Sequence, residues 1–307
     1  MTLGRKTHGP RKIFIYLHVV IIFSTLFFQG VQLSASQYWP QEQWRTASPE
    51  SQGMSSRTLA ELFNAIRKDE YQIDSVIIVR NGYVILESYG DLLEPHFKHQ
   101  IYSCTKSISS ALIGIAIDRG YIKSVDQPLL ELFPEKILTV QESNKRKITL
   151  SHLLMMATGL KCEDSVLYEF KGLKEMWQSD DWVQYMLDLP VVDPSGIKFE
   201  YCNGASALLT AIIQKTTGMT AFEFATQYLF NPLNIRDIHW KSHNGLTIGY
   251  SDITMRPVDM ARFGYLFLKG GRWNNLQIIS PEWIAESTEK HINNPLTFGY
   301  GYQWWIY

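Results

Sequence analysis

The spacing of apolar and polar residues predicts a β-hairpin and a series of buried helices. Residues 75–80 and 83–88 are rich in β-branched side chains, and Asn81-Gly82 between them is the dipeptide preferred in a type I′ turn. A helix is predicted from Ser103 to about Arg119, because apolar residues recur along one of its faces. A lone hairpin is only marginally stable in water. The two strands are therefore expected to have neighbours in a larger sheet.

The remaining pattern predicts helices separated by polar connections. Ser55 or Ser56 can cap a helix that precedes the hairpin. Residues 121–250 favour mostly helices, and two more helices are predicted, one after Arg256-Pro257 and one from Pro281. The aromatic residues 298–307 favour the start of a strand.

These elements predict an α/β fold with an all-α insertion, built on an antiparallel sheet flanked by helices. The α/β part comes from residues 37–100 and 245–307, and the helical part from residues 101–244. The strands missing from the sheet are expected to follow residue 307. The cleft between the two parts is the expected place for a site.

Residues 1–36 have the layout of a secretory signal peptide. Arg5, Lys6, Arg11 and Lys12 form a basic region, residues 13–28 are mostly apolar, and small residues follow at positions 34–36. The apolar run is slightly short of the roughly 18 residues of a membrane span, so an uncleaved membrane anchor stays open as an alternative. Both alternatives export residues 37–307 to the periplasm or the extracellular space.

Composition and residue types exclude several classes of function. A chain of 307 residues that is 45% hydrophobic and 19% charged is expected to be globular, and its net charge of −1 suggests no nucleic-acid surface. The eight His residues show no metal-ligand spacing, so neither a metal nor another cofactor is predicted. Cys104, Cys162 and Cys202 make an odd count that implies no complete disulfide framework, and small buried thiols are expected.

The candidate chemistry starts from a Ser-x-x-Lys pattern that occurs three times. Ser195/Lys198 lies in a predicted turn, and Ser287/Lys290 lies on a polar helical segment that we expect to be solvated. Ser103/Lys106 alone opens a strongly apolar helix. Side chains three residues apart on a helix are neighbours, and burial lowers the pKa of a lysine so that its neutral amine can accept a proton. The alternative is that Ser103 only caps the helix.

Tyr201 and Asn203 offer groups that can act as partners of such a serine, and a purely structural role for this Tyr-x-Asn pattern is the alternative. A phenol beside a cation is expected to lose its proton more easily and to act as general base and then acid. The Asn203 amide can hold both a lysine and a substrate carbonyl. By contrast, His152 precedes a buried helical segment and is expected to be structural.

The chain resembles the serine β-lactamase-related hydrolases, which include class C β-lactamases, D,D-peptidases, related esterases and aminohexanoate-oligomer hydrolases. The resemblance covers roughly residues 40–307, in the order that the family shows. It is carried by Trp44 with Pro49–Met54, Ile101–Ser107, His152–Leu160, Tyr201–Asn203, Leu229–Ile235, Arg256–Gly264 and Phe298–Trp305.

The resemblance implies Ser103 as nucleophile, Lys106 as its activating partner, Tyr201 as general base and acid, and Asn203 as a substrate-binding residue. It implies hydrolysis of an amide or ester in a small-molecule or peptide substrate: a β-lactam, a D-amino-acid peptide, a small ester or an amide oligomer. The third motif of the family, Lys or His followed by a small residue and Gly, is expected after Trp305, and the chain is expected to stop short of it. The alternative function is a catalytically incomplete fragment or a non-catalytic ligand-binding relative.

Overall fold

The hairpin predicted around Asn81-Gly82 is present in the structure. Strand β1 (Ser75–Arg80) pairs antiparallel with β2 (Tyr83–Tyr89). Asn81 has φ 53° and Gly82 has φ 87°, which are the left-handed values that a type I′ turn requires. The pairing register shifts between Ile78 and Val79. The residues of β1 are half-buried or exposed.

The structure is a computed structural model. It describes residues 38–40, 43–90, 93–136, 144–165 and 168–307. The predicted signal peptide or anchor, residues 1–36, lies outside the described residues. Within the described ranges, none of the helices has the length and apolar character needed to cross a membrane.

The predicted helices form with boundaries close to those read from the sequence. Ser55 caps the first helix by accepting a hydrogen bond from the Thr58 N–H, and Pro257 and Pro281 are the first residues of their helices. The helices are α1 (Ser56–Lys68), α2 (Thr105–Asp118), α3 (Leu129–Leu132), α4 (Leu150–Leu154), α5 (Lys171–Gln178), α6 (Trp182–Asp188), α7 (Asn203–Thr217), α8 (Ala221–Ala225), α9 (Pro257–Leu268) and α10 (Pro281–Thr288).

Short strands join the helices, and several of them fall in the stretch predicted to be mostly helical. They are β3 (His99–Gln100), β4 (His239–Trp240), β5 (Ser242–His243), β6 (Leu246–Thr247), β7 (Ile253–Met255), β8 (Arg272–Trp273), β9 (Leu276–Gln277), β10 (Gly299–Tyr300) and β11 (Trp305–Ile306). Strand β7 lies between β3 and β4, and β5–β6, β8–β9 and β10–β11 each form an antiparallel pair. Runs of two or three residues are too short for an alternating pattern to reveal.

Helices α2 and α7 pack against each other at the centre of the hydrophobic core of residues 39–307. Leu112, Ile113 and Ile115 of α2 are fully buried, and α7 is buried from Asn203 to Ile213. Helices that are apolar on nearly every face belong in a core. Because α2 begins just after Ser103 and α7 begins just after Tyr201, this packing fixes the two halves of the candidate site relative to each other.

One expected surface position is part of the core. Ser287 was predicted to lie on a solvated helical face, yet it is fully buried and its hydroxyl donates a hydrogen bond to the Ile284 carbonyl oxygen 3.3 Å away. Lys290 is exposed beyond the end of α10. The burial is tolerated because the hydroxyl is hydrogen-bonded within its own helix.

Candidate active site

Ser103 lies at the start of α2, where the chain turns sharply out of the sheet. The Ile101 N–H donates to the Ile253 carbonyl oxygen at 3.0 Å, which anchors the chain beside β7. Tyr102 then adopts a left-handed φ of 44°, and Tyr102–Cys104 form a single 3-10 turn that continues into α2. Ser103 is exposed and Lys106 is buried. The turn therefore leaves the Ser103 hydroxyl accessible to solvent, while the Lys106 amine three residues later is buried.

Lys106 contacts the serine hydroxyl and is almost completely buried. Its exposed fraction is 2%, and its Nζ donates to Ser103 Oγ at 3.1 Å and to the Tyr250 carbonyl oxygen at 2.9 Å. Burial lowers the pKa of Lys106 to about 7, although the carboxylate of Asp164 acts in the opposite direction. A substantial fraction of the amine is therefore neutral near pH 7 and able to accept a proton.

Tyr201 approaches Ser103 from the other side. Its hydroxyl donates to Ser103 Oγ at 2.9 Å, and Lys106 Nζ lies 4.8 Å from the centre of its ring. The Tyr201 ring stacks on the Trp305 ring, with 5.8 Å between the two ring centres. The expected lowering of the phenol pKa is wrong. Burial raises the pKa of Tyr201 and outweighs the hydrogen bond with Ser103, so the resting phenol is a proton donor.

Asn203 is the first residue of α7, and the structure places it against a carboxylate. Its exposed fraction is 7%, and its backbone N–H donates to Asp164 Oδ2 at 2.6 Å. No hydrogen bond joins its side chain to Lys106 in the part of the chain that the structure describes. The site thus brings Ser103, Lys106 and Tyr201 into direct contact, and the role of Asn203 toward a substrate stays a prediction.

The expectation of small buried thiols is wrong, because two of the three cysteines are bonded to each other and the third is exposed. Cys162 and Cys202 form a disulfide with a Cα–Cα distance of 5.7 Å, and Cys104 is a free, exposed cysteine next to Ser103. The odd count left the pairing open because connectivity depends on distance in the fold. The bond ties the residue between Tyr201 and Asn203 to the segment that carries Asp164.

The sequence reasoning missed Asp164, Tyr250 and Gln303. Gln303 is buried and joins elements around the site: its backbone carbonyl accepts from Ser107 Oγ at 2.9 Å and its side chain accepts from Ser206 Oγ at 2.7 Å. Tyr250 contributes a backbone carbonyl, which no sequence pattern marks. Two adjacent acidic residues after a cysteine, Glu163 and Asp164, give no signal of a buried carboxylate either.

The other candidates have structural roles. Ser195 lies in a turn and its hydroxyl donates to the Thr158 carbonyl oxygen at 2.9 Å. His152 forms a capping box with Thr149 at the start of α4, where its Nδ1 accepts from the Thr149 N–H at 3.0 Å. This agrees with the structural role expected for His152.

The chain belongs to the Beta-lactamase family, whose model matches residues 59–307. Among curated proteins it is 22% identical over 262 residues to the 6-aminohexanoate-dimer hydrolase of Paenarthrobacter ureafaciens, a match that covers 78% of this chain and 65% of that protein. It is 23% identical over 239 residues to an uncharacterized protein of Alkalihalophilus pseudofirmus, with 68% of this chain and 62% of that protein covered. The chain therefore spans less than two thirds of the length of both relatives.

Solved structures share the fold at low identity. A penicillin-binding protein homologue from Pyrococcus abyssi has a TM-score of 0.60 at 18% identity, with 81% of this chain and 64% of that chain covered. A D-stereospecific amidohydrolase from Streptomyces has a TM-score of 0.56 at 17% identity, with 71% and 73% covered. The predicted fold class, β-lactamase- and D,D-peptidase-like, is confirmed.

Proposed function

We propose that this protein is a serine hydrolase that cleaves an amide or ester through an acyl intermediate on Ser103. The observation that carries the proposal is the pair of contacts at Ser103 Oγ, 3.1 Å to Lys106 Nζ and 2.9 Å to the Tyr201 hydroxyl. A nucleophilic serine needs an adjacent base, and a base is most effective when its pKa lies near the working pH. The pKa of Lys106, about 7, meets that condition.

The reaction follows from these three side chains. The neutral Lys106 amine takes the Ser103 proton as Oγ forms a bond to the substrate carbonyl carbon. The N–H groups of a first helical turn have no intrahelical partner, so the Ser103 N–H is the candidate donor to the developing oxyanion. The bond to the leaving group then breaks as Tyr201 supplies a proton to it, and Lys106 returns its proton to Tyr201. Water hydrolyses the resulting serine ester.

Amides are the favoured substrate class. One relative is named a 6-aminohexanoate-dimer hydrolase and one structural neighbour a D-stereospecific amidohydrolase. Breaking an amide requires protonation of a poor leaving group, and the protonated Tyr201 hydroxyl, 2.9 Å from Ser103 Oγ, is the donor positioned for that step. β-Lactams, D-amino-acid peptides and small esters complete the substrate panel.

Turnover of this panel by matched serine variants tests the proposal. Ser103→Ala should abolish turnover, and Tyr201→Phe should lower kcat by about 10²–10⁴-fold. Ser195→Ala is the control, because Ser195 has the same Ser-x-x-Lys spacing but its hydroxyl donates to the Thr158 carbonyl oxygen in a turn away from Ser103. Turnover that survives in Ser103→Ala, or ligand binding by the wild type with no turnover of any panel member, would contradict the proposal.

We also propose that residues 37–307 are exported. The basic and apolar residues of segment 1–36 support this, and so does the Cys162–Cys202 disulfide, since such bonds persist in oxidising compartments. Intact mass spectrometry of protein recovered from the periplasm or medium should give a chain that begins near Ser36. Full-length chain in the membrane fraction would support the anchor instead, and full-length chain in the cytosol would contradict export.

A further inference from the structure

We propose that Asp164 is a positioning residue for the hydrolase reaction: its buried carboxylate fixes the segment that carries Tyr201, and its charge acts on the buried amine of Lys106. This inference rests on the proposed function. It concerns a residue that does not touch Ser103 and that acts through the two side chains that do.

The first observation is how the carboxylate is held. Asp164 is buried, with an exposed fraction of 4%. It accepts a hydrogen bond from the Asn203 backbone N–H in the first turn of α7, and the backbone N–H groups of Gly204 in α7 and of Leu173 in the first turn of α5 also act to lower its pKa. Two helix N-termini, each with its positive dipole end, therefore converge on one carboxylate. Such a group fixes where both helices begin.

The second observation is that covalent and steric contacts lock this arrangement in place. Cys162 precedes Asp164 by two residues, and its disulfide partner Cys202 lies between Tyr201 and Asn203. At Gly172, an added Cβ would lie 1.7 Å from the Cys162 carbonyl oxygen and 3.2 Å from Asp164 Oδ1. The backbone of α5 thus packs directly on the Asp164 segment. A shift of the carboxylate would move the disulfide and, with it, Tyr201.

The third observation is electrostatic. The groups that face Lys106 are Asp164, Cys104, Tyr201 and Tyr250. Burial lowers the pKa of Lys106 and the Asp164 charge raises it, so the two effects together bring it to about 7.

The charge of Asp164 is itself set by its surroundings. Burial raises the pKa of Asp164 to about 6, against the lowering effect of its backbone donors and Lys106. The carboxylate also raises the pKa of Tyr185, Tyr201 and Tyr250. Above pH 6 its negative charge therefore acts on Lys106 and on the proton donor Tyr201 at once.

Removal of the Asp164 charge should lower the pKa of Lys106. Acylation needs the neutral amine of Lys106, so the rate falls as pH drops below the pKa of Lys106. An Asp164→Asn variant keeps the side-chain size and one acceptor oxygen but removes the charge. The pKa of Lys106 should then fall, and the acid limb of the pH–rate profile should move to lower pH by roughly one pH unit. A purely structural role for Asp164 would leave that limb where it is.

Glu163→Gln is the matched control. Glu163 is the neighbouring carboxylate, and it pairs with Lys161 at 3.2 Å and Lys171 at 3.0 Å near the surface. The variant removes the same charge one residue away without touching the α7 N-terminus.

Two readouts separate this inference from the proposed function. The first is the pH dependence of Ser103 labelling by a fluorophosphonate, with a thermal melt to show that each variant is folded. The second is the titration of the Lys106 side chain by NMR in protein labelled with ¹³C at lysine Cε, which needs no catalysis. In Asp164→Asn we expect the maximal labelling rate to fall about tenfold or more and the Lys106 titration to move to lower pH. Glu163→Gln should change neither.

The outcomes are distinct. If the wild type is not labelled on Ser103, the proposed function fails, and the Lys106 titration still decides whether Asp164 sets the charge of Lys106. If Asp164→Asn is folded and shows an unchanged Lys106 titration and an unchanged acid limb, the inference is wrong. An equal shift in Glu163→Gln would overturn it too, because the effect would then be a general loss of negative charge.

Discussion

Removal of the Cys162–Cys202 disulfide should destabilise the protein and loosen the candidate site together. The bond joins residues 40 positions apart. In the chain-entropy model, a closed loop of about 40 residues is stabilised by about 4 kcal/mol through restriction of the unfolded chain. For a unit of this size, such a loss corresponds to a fall in Tm of about 10 °C. Because Cys202 follows Tyr201, the contact of Tyr201 with Ser103 should weaken as well.

A Cys162→Ser/Cys202→Ser double variant, measured by thermal melting and by the rate of Ser103 labelling, tests this. Cys104→Ser is the control, since Cys104 is a free, exposed thiol and should leave Tm within about 1 °C. Dithiothreitol should reproduce the double variant in the wild type and have no effect on the double variant. An unchanged Tm in wild type whose disulfide is shown by mass to be reduced would refute the reasoning.

Three further predictions concern the base, the helix packing and a buried ion pair. The labelling rate of Ser103 should fall about tenfold per pH unit below pH 7, following protonation of Lys106, and a flat profile from pH 5 to pH 8 would exclude Lys106 as the base. Gly114→Ala should lower the free energy of unfolding by about 1–3 kcal/mol in chemical denaturation, because the added Cβ would lie 2.4 Å from the Trp283 ring. Gly264→Ala is the control, since its added Cβ meets open space and should leave the protein equally or more stable. Equal effects of the two variants would contradict the packing. Asp259→Ala should lower the free energy of unfolding by about 3–5 kcal/mol, because it leaves the buried Arg262 guanidinium without the Asp259 carboxylate. A loss below about 1 kcal/mol would show that water replaces that contact.

Sequence reasoning predicted the elements whose signals are local. The Asn81-Gly82 turn forms because only a few dipeptides accept left-handed φ at both positions. The apolar stripe after Ser103 predicts the helix that begins there. The apolar packing of α2 against α7 brings the Tyr201 hydroxyl to 2.9 Å from Ser103 Oγ. The resemblance to a known family supplied the order of the motifs.

What the sequence did not predict depends on the folded environment. The phenol of Tyr201 was expected to ionise easily beside a cation, but its pKa reflects burial, which no local pattern reveals. Asp164 is buried against the first turn of α7 by contacts that exist only in the fold. Pairing of Cys162 with Cys202 depends on the same convergence of α5 and α7.

The central claim is that Ser103 is the nucleophile, and the most direct test is to find the covalent adduct. Wild-type protein treated with a fluorophosphonate at pH 8 should gain the mass of one adduct, and peptide mapping should place it on Ser103. Lys106→Met should slow its formation by about 10²–10⁴-fold, and Ser103→Ala should form none. An adduct on another residue, or equal labelling of wild type and Ser103→Ala, would contradict the account.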